Sequence, residues 1–226
     1  MGLSTRLNSI LKMIDGQYDH IWDCCCDHGY LGQAILQAKP EAKVHFLDVV
    51  ESITSKLEKH LASNNYSTER WQVHCEDLQR LRLPHPENVT NIQHRHLLII
   101  AGVGGDLTLD MVQAVLQNNL DCHIDFLICP VRQLHKVRSG VKALGLGLVN
   151  EKIVKDGGRY YEAIHLSTLS EDDIPVVGGS MWDLAKGDHQ EYLRQNISHY
   201  QRMQAQGNEN ARNILAEYMS LQELSA

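Results

Sequence analysis

The feature that most constrains this chain is an alternation. Five short apolar stretches, at about 20–25, 43–49, 71–75, 97–101 and 124–129, are separated by segments that mostly carry helical periodicity, at about 30–38, 51–64, 106–118 and 131–144. A strand that returns parallel to its neighbour needs a crossover of a dozen or more residues, usually a helix. The alternation therefore predicts a parallel sheet covered by helices on both faces. The run 97–101 is continuously apolar, as a strand buried on both sides should be. Two more β segments, about 148–155 and 160–168, follow in succession around Asp156-Gly157-Gly158. That pair predicts an antiparallel hairpin at one sheet edge.

The ends of the strands carry the chemistry. Asp23, Asp48 and Asp77 follow three successive strands at spacings of 25 and 29 residues. Each spacing is about one strand, one helix and their loops, so the three carboxylates should reach the same carboxyl edge, where doubly wound sheets bind ligands. A pair of β segments closing the alternation is the layout of the class I methyltransferase sheet. Such a sheet binds S-adenosylmethionine, whose amino groups and ribose hydroxyls are donors that carboxylates accept. Asp48 suits the ribose, Asp77 the adenine amino group, and Asp23 and Asp27 the turn and the methionine end. Gly102-Val103-Gly104-Gly105 follows the fourth strand and would let backbone approach the methyl acceptor. The expected fold class is α/β, a Rossmann-like class I methyltransferase sheet with a C-terminal helical hairpin.

The rest of the chain sets limits. Its 226 residues suffice for one large core and an appendage. Residues 1–168 are expected to form the catalytic domain, 169–180 a linker with Pro175, Gly178 and Gly179, and 181–226 a helical, coiled-coil-like hairpin broken at Gly207-Asn208. Ser4 should cap an N-terminal helix with Leu7, Ile10, Leu11 and Ile14 on one face. No apolar run reaches the roughly 18 residues of a membrane span, and the N-terminus lacks the apolar core of a secretory signal. Six scattered or adjacent cysteines are no disulfide framework, which points to a reducing cytoplasm. The net charge is −7, with 17 basic and 19 acidic residues in 1–165 against 4 and 9 in 166–226. A polyanionic partner is not announced by composition, although partial protonation of the 13 histidines would add positive charge. Arg132, Lys136, Arg138 and Lys142 offer phosphate contacts on the helix after the fifth strand, and Arg6, Lys12 and Arg159 are further candidates.

Cys24-Cys25-Cys26-Asp27-His28 resembles a ligand knot, but adjacent cysteines splay apart and no paired C-x₂₋₄-C spacing exists. No metal is expected. A dehydrogenase is disfavoured because no G-x-G-x-x-G follows the first strand.

One family accounts for these motifs together. Asp23-Cys24-Cys25-Cys26-Asp27-His28-Gly29-Tyr30-Leu31-Gly32 resembles the Asp-x-Gly-Ser-Asp-His-Ala-Tyr-Leu-Pro stretch of the bacterial tRNA (adenine-N1) methyltransferases that modify adenine 22, the TrmK-like family. Ala101-Gly102-Val103-Gly104-Gly105 resembles its Ala-Gly-Met-Gly-Gly, Pro130-Val131 its Pro-Asn, and Asp156-Gly157-Gly158-Arg159-Tyr160-Tyr161-Glu162 its Asp-Gly-x-x-Tyr-Glu. The resemblance spans nearly the whole chain and implies S-adenosylmethionine as cofactor, tRNA as partner and an adenine N1 as acceptor. It implies cofactor contacts at Asp23, Cys24, Cys25, Asp27, His28, Leu31, Asp48, Val49, Glu76, Asp77, Leu78, Ala101 and Gly102. Asp27 and His28 are the expected catalytic pair. Tyr30, Gly104, Gly105, Arg132, Lys136, Arg138 and Tyr160 are the expected substrate contacts. Among the departures from the pattern, Cys25 and Cys26 stand for glycine and serine, Gly32 for proline and Val131 for asparagine, and the last element has one residue more. A side chain at a position needing positive φ costs about 1–2 kcal/mol. The alternatives are a methyltransferase acting on a small molecule or protein, and a non-catalytic module that kept the fold for binding. The expected assembly is a monomer or weak homodimer.

Overall fold

The computed structural model describes residues 2–64, 66–84 and 94–223. Its strands are β1 (His20–Cys24), β2 (Lys43–Asp48), β3 (Trp71–Cys75), β4 (His96–Ala101), β5 (Ile124–Cys129), β6 (Gly147–Asp156) and β7 (Arg159–Ser167). The helices are α1 (Thr5–Lys12), α2 (Tyr30–Ala38), α3 (Glu51–Ser63), α4 (Gly105–Asn118), α5 (Leu134–Ala143), α6 (Gly187–Ala205) and α7 (Glu209–Glu223). The seven strands form one sheet in the order β3-β2-β1-β4-β5-β7-β6. The first five run parallel, and β7 is antiparallel to β5 and β6. The Pro-, His- and Asn-rich stretch at 84–95 lies mostly outside the described residues.

Side-chain alternation along each strand builds two cores. Trp22, Cys24, Leu47, Leu98, Ile100, Phe126 and Ile128 pack on one face with Met111, Val112 and Val115 of α4 and Val137 and Val141 of α5. Ile21, Val44, Phe46, Leu97, Ile99, Leu127 and Cys129 pack on the other with α1, α2 and α3. The β6–β7 turn uses Gly157 and Gly158 at φ 56° and 76°, the left-handed pair that a tight hairpin prefers.

Three findings refine the sequence reading. First, α5 begins at Leu134 rather than near 131, because Gln133 adopts φ 63° and breaks the helical path. Second, the segment expected as a linker is seated in the fold: Ile174 and Val177 are buried. Third, a row of three of the 13 histidines is withdrawn from any reserve of positive charge. His20, His45 and His74 form a hydrogen-bonded row across β1, β2 and β3, with links of 2.9 Å each, beside Trp22 stacked on His45. Burial pushes His20 down to about 4 and His45 to about 2, each helped by a neighbouring histidine.

The tail is a docked hairpin. Leu193 and Ile197 of α6 meet Ile214, Leu215 and Tyr218 of α7. Tyr192 packs on Ile153 and Met181, with Tyr160 and Trp182 alongside. The hairpin is also fastened by Arg138, whose side chain is fully buried. Arg138 Nη2 lies 2.7 Å from both Glu151 and Glu162, and Nη1 donates to the Pro175 carbonyl at 3.1 Å. The Tyr192 hydroxyl donates to Glu162 at 2.9 Å. The Gly179 N–H donates to Glu151 at 2.6 Å.

Candidate active site

The chain changes direction of sheet growth at β1, which stands between β2 and β4. In an open α/β sheet this leaves a crevice beyond the carboxyl ends of the strands. Asp23, the next-to-last residue of β1, is 5% exposed and its carboxylate accepts the Gly32 N–H at 2.8 Å. Asp23 thus fixes α2 against β1 rather than facing the crevice. Burial lifts its carboxyl to about 7, against the lowering effect of the Gly32 hydrogen bond.

After Cys24 the backbone turns sharply. Cys25 and Asp27 have φ of 56° and 49°, and Gly29 has 67°. Cys25 therefore occupies the left-handed conformation that the glycine of the family motif would take without strain. Its thiol is pushed up to about 11 by burial and by Asp48 and Asp23, so it stays protonated and poorly nucleophilic at neutral pH. Gly32, a departure at the sequence level, has a packing reason: a Cβ there would lie 2.2 Å from the buried Phe46 ring.

Asp48 closes β2 and joins the two strand ends. Its Oδ2 accepts the Asp27 N–H and its Oδ1 the Val50 N–H, both at 3.1 Å. Asp77 caps a short 3₁₀ turn, Leu78–Arg80, by accepting the Gln79 N–H at 3.0 Å. Glu76 stands 3.7 Å from His74 Nδ1. Val49 is 64% exposed beside these acceptors. An apolar face next to carboxylates with remaining lone pairs fits the adenosine of S-adenosylmethionine, whose ribose hydroxyls and adenine amino group are donors. The side chains of Cys24, Leu31 and Leu78 are buried in the cores, so only their backbone is available to a ligand.

Asp27 and His28 stand on the rim. The Asp27 carboxylate is 2.8 Å from His28 Nδ1, with both side chains about two-thirds exposed, at 66% and 67%. The His28 ring stacks on Tyr30 at 5.6 Å. These three line a groove of about 340 Å³ with Lys56, Leu57 and His60, on the α2–α3 side. Gly102–Gly105 is not part of that lining.

On the other side, Gly102 has φ 90°, and a Cβ there would lie 3.5 Å from Arg6 Nη2. A Cβ on Gly104 would lie 3.2 Å from Arg132 Nε, and Gly105 is held by close backbone contact, 2.8 Å from the Arg132 carbonyl to where its Cβ would be. The expected set of basic phosphate contacts is much reduced. Arg138 is a buried ion-pair residue and not a phosphate contact, because Glu151 and Glu162 enclose it. Lys136 pairs with Asp106 and Lys142 with Asp173. Tyr160 is likewise turned to the tail: its hydroxyl donates to Glu191 at 2.7 Å and its ring stacks on Tyr192 at 4.9 Å. Tyr161, on the opposite side of β7, is the tyrosine that meets Arg6. The sequence reading placed Tyr160 at the substrate; side chains alternate along a strand, and in the structure Tyr160 is the one that faces the tail. Among the described residues no group of three or more His, Cys, Asp or Glu side chains could hold a metal ion, and no helix is long and apolar enough to cross a membrane.

Known proteins share this architecture. TrmK of M. capricolum, solved with the cofactor product S-adenosyl-homocysteine, matches with a TM-score of 0.76 at 18% identity over 97% of both chains. The tRNA (m1A22) methyltransferase TrmK of B. subtilis matches with a TM-score of 0.67 at 16% identity over 99% of this chain and 97% of that one. Sp1610 of Streptococcus pneumoniae, a putative tRNA (m1A22) methyltransferase solved with S-adenosyl-L-methionine, matches with a TM-score of 0.70 at 15% identity over 97% and 99%. A comparison with curated proteins gives no match. The sequence itself matches the methyltransferase domain family over residues 3–164. With that match over well over half of its length, and with the strand order and crevice described, the chain belongs to the methyltransferase domain family.

Proposed function

We propose that the chain transfers a methyl group from S-adenosylmethionine to N1 of an adenine in tRNA. The observation that carries the reading is the crevice itself: Asp48 and Asp77 at adjoining strand ends, with exposed Val49 between them, facing a glycine loop on the far side of β1. The full-length likeness to tRNA (m1A22) methyltransferases, tail included, supports the same acceptor.

When bound, S-adenosylmethionine supplies an electrophilic methyl group. Asp48 is assigned to the ribose and Asp77 to the adenine amino group, with Cys25, Asp27 and Gly102 shaping the space between by their backbone. Adenine N1 is nucleophilic in the neutral base, so no proton has to be removed first. The chain's tasks are then to take the base out of its stack, orient it and balance the positive charge of the product. Asp27 on the rim, with His28 and Tyr30, is assigned to the last two tasks. Arg132 contacts the RNA, as does a groove of about 1200 Å³ that runs past it between α5 and the tail, with Asn196, His199 and Asn213 in its wall. Free cysteines throughout fit work in the cytoplasm.

The test is mass spectrometry of nucleosides from unmodified tRNA incubated with the protein and S-adenosylmethionine. A new N1-methyladenosine peak is expected. Calorimetric binding of the cofactor without that peak would move the acceptor to another class, and no cofactor binding at millimolar concentration would favour a non-catalytic module. Asp27→Ala methylating tRNA as fast as wild type would remove Asp27 from the assignment.

A further inference from the structure

Arg6 stands where its own helix does not want a cation. It is the second residue of α1, whose first turn holds no acidic residue. A positive charge at a helix N-terminus opposes the helix dipole. Its backbone N–H is held by Asp156 of the β6–β7 turn at 3.3 Å, and its guanidinium lies over the Tyr161 ring, 4.9 Å from the centroid. Among the described residues no carboxylate pairs with that guanidinium, whereas Lys136, Arg138 and Lys142 are all paired. Stacking on an aromatic face leaves the N–H edge of a guanidinium free to donate in its plane. The guanidinium lies next to Gly102, where a Cβ would be 3.5 Å from Nη2 and 3.8 Å from Nη1. A locally unfavourable residue that the fold nevertheless holds in place marks function.

We propose that Arg6 binds the phosphate of the target nucleotide and so sets the depth at which the base enters the slot beside Gly102. The assignment rests on the tRNA reading above. A planar fork of N–H donors matches a phosphate bidentately, and a flipped nucleotide brings its phosphate to the mouth of the pocket that receives its base. Tyr161 holds the guanidinium against its ring face, and the hairpin turn holds the helix that carries it. The cation is thereby spent on the backbone of the RNA, and the positive product base is left to the carboxylates on the other side of the crevice.

The experiment is steady-state methylation of an unmodified tRNA transcript at several salt concentrations by the full chain and by Arg6→Ala and Arg6→Lys, with cofactor affinity by calorimetry and thermal unfolding of each. Arg6→Ala is expected to raise KM for tRNA about 10-fold to 100-fold, the range for a charge-assisted hydrogen bond. The slope of log kcat/KM against log salt should become shallower by about one, as for the loss of one phosphate contact. Cofactor affinity and melting should stay at wild-type values. Arg6→Lys keeps the charge and should keep the slope while losing part of the affinity. An unchanged KM and slope would overturn the proposal. So would a fall in kcat with the slope unchanged, which would place Arg6 on the base. Loss of cofactor affinity or of melting temperature in both variants would make Arg6 a structural residue and also overturn it. A wild type that leaves tRNA unmethylated overturns the proposed function and this proposal together, whereas an active wild type beside an equally active Arg6→Ala overturns this proposal alone.

Discussion

Two groups of carboxylates in this molecule are built on opposite terms. Glu151 and Glu162 are buried to within 1% of full enclosure around Arg138, and backbone or hydroxyl donors from Gly179 and Tyr192 meet them as well. Asp27, Asp48 and Asp77 stand at the crevice, and among the described residues none of them forms an ion pair with a lysine or arginine. The first group is enclosed and ion-paired within the protein and joins β6, β7 and α5 to the tail. The second keeps lone pairs for something else. A carboxylate enclosed by an arginine contributes to structure, and one that caps a turn at an open edge remains available to a ligand.

Removing Arg138 should break this contrast most severely. Arg138→Ala leaves two buried carboxylates without their cation and should cost about 3–5 kcal/mol of stability, read by urea unfolding. A loss below about 1 kcal/mol would mean that the cluster is not what fastens the tail. Asp48→Ala should do the reverse. Cofactor affinity should fall about 10-fold to 100-fold, as for loss of a charge-assisted hydrogen bond, while the unfolding midpoint moves little; calorimetry beside a melting curve tests both.

The buried Asp23 gives a third measurement. Its folded pKa of about 7 lies above the ordinary 3.8, so between these values the native state holds a proton that the unfolded state has released. Its contribution to stability therefore falls as pH rises through that window. His20 and His45, depressed from 6.5 to about 4 and about 2, act with opposite sign: acidification below 6.5 protonates the unfolded chain first and lowers stability. In Asp23→Asn the opposing contribution is gone, and the rise of unfolding free energy from pH 4.5 to 6.5 should steepen, by at most about 1.4 kcal/mol per pH unit. Parallel profiles for variant and wild type would place the Asp23 carboxyl in its ordinary range. The smallest effect is expected at the turn. Cys25→Gly releases a left-handed side chain but gains unfolded-state entropy, leaving a net stabilisation of about 0.5–1 kcal/mol. A destabilised variant would show that packing of the Cys25 side chain outweighs its backbone strain.

Much of this architecture was legible in the order of the residues. The alternation of apolar strands with amphipathic helices, then two strands around Asp156-Gly157-Gly158, required a parallel sheet with one antiparallel hairpin. Asp48 and Asp77 were legible as strand-end acceptors because their spacing equals one crossover. Less legible were residues whose meaning depends on which side they face. Arg138 read as one of four cations on a helix, yet one face of that helix turns into the tail interface. Tyr160 and Tyr161 are adjacent, and only the pairing of β7 with β5 and β6 decides which of them meets α1 and which meets the tail. Arg6 sits about 96 residues from Gly102 in sequence, and no local pattern connects them.

The sequence by itself determined the sheet, the direction of its strands and the edge to which the strand-end carboxylates come. These follow from short-range periodicity and chain length, which act within one strand-helix unit. Only the tertiary structure decided which charges are free. Burial and pairing are set by elements far apart in the chain, and a carboxylate or guanidinium takes its chemistry from what surrounds it. That is why Asp23 became a buried link at the head of α2, Arg138 the anchor of the tail, and Arg6 an unpaired cation beside the glycine loop.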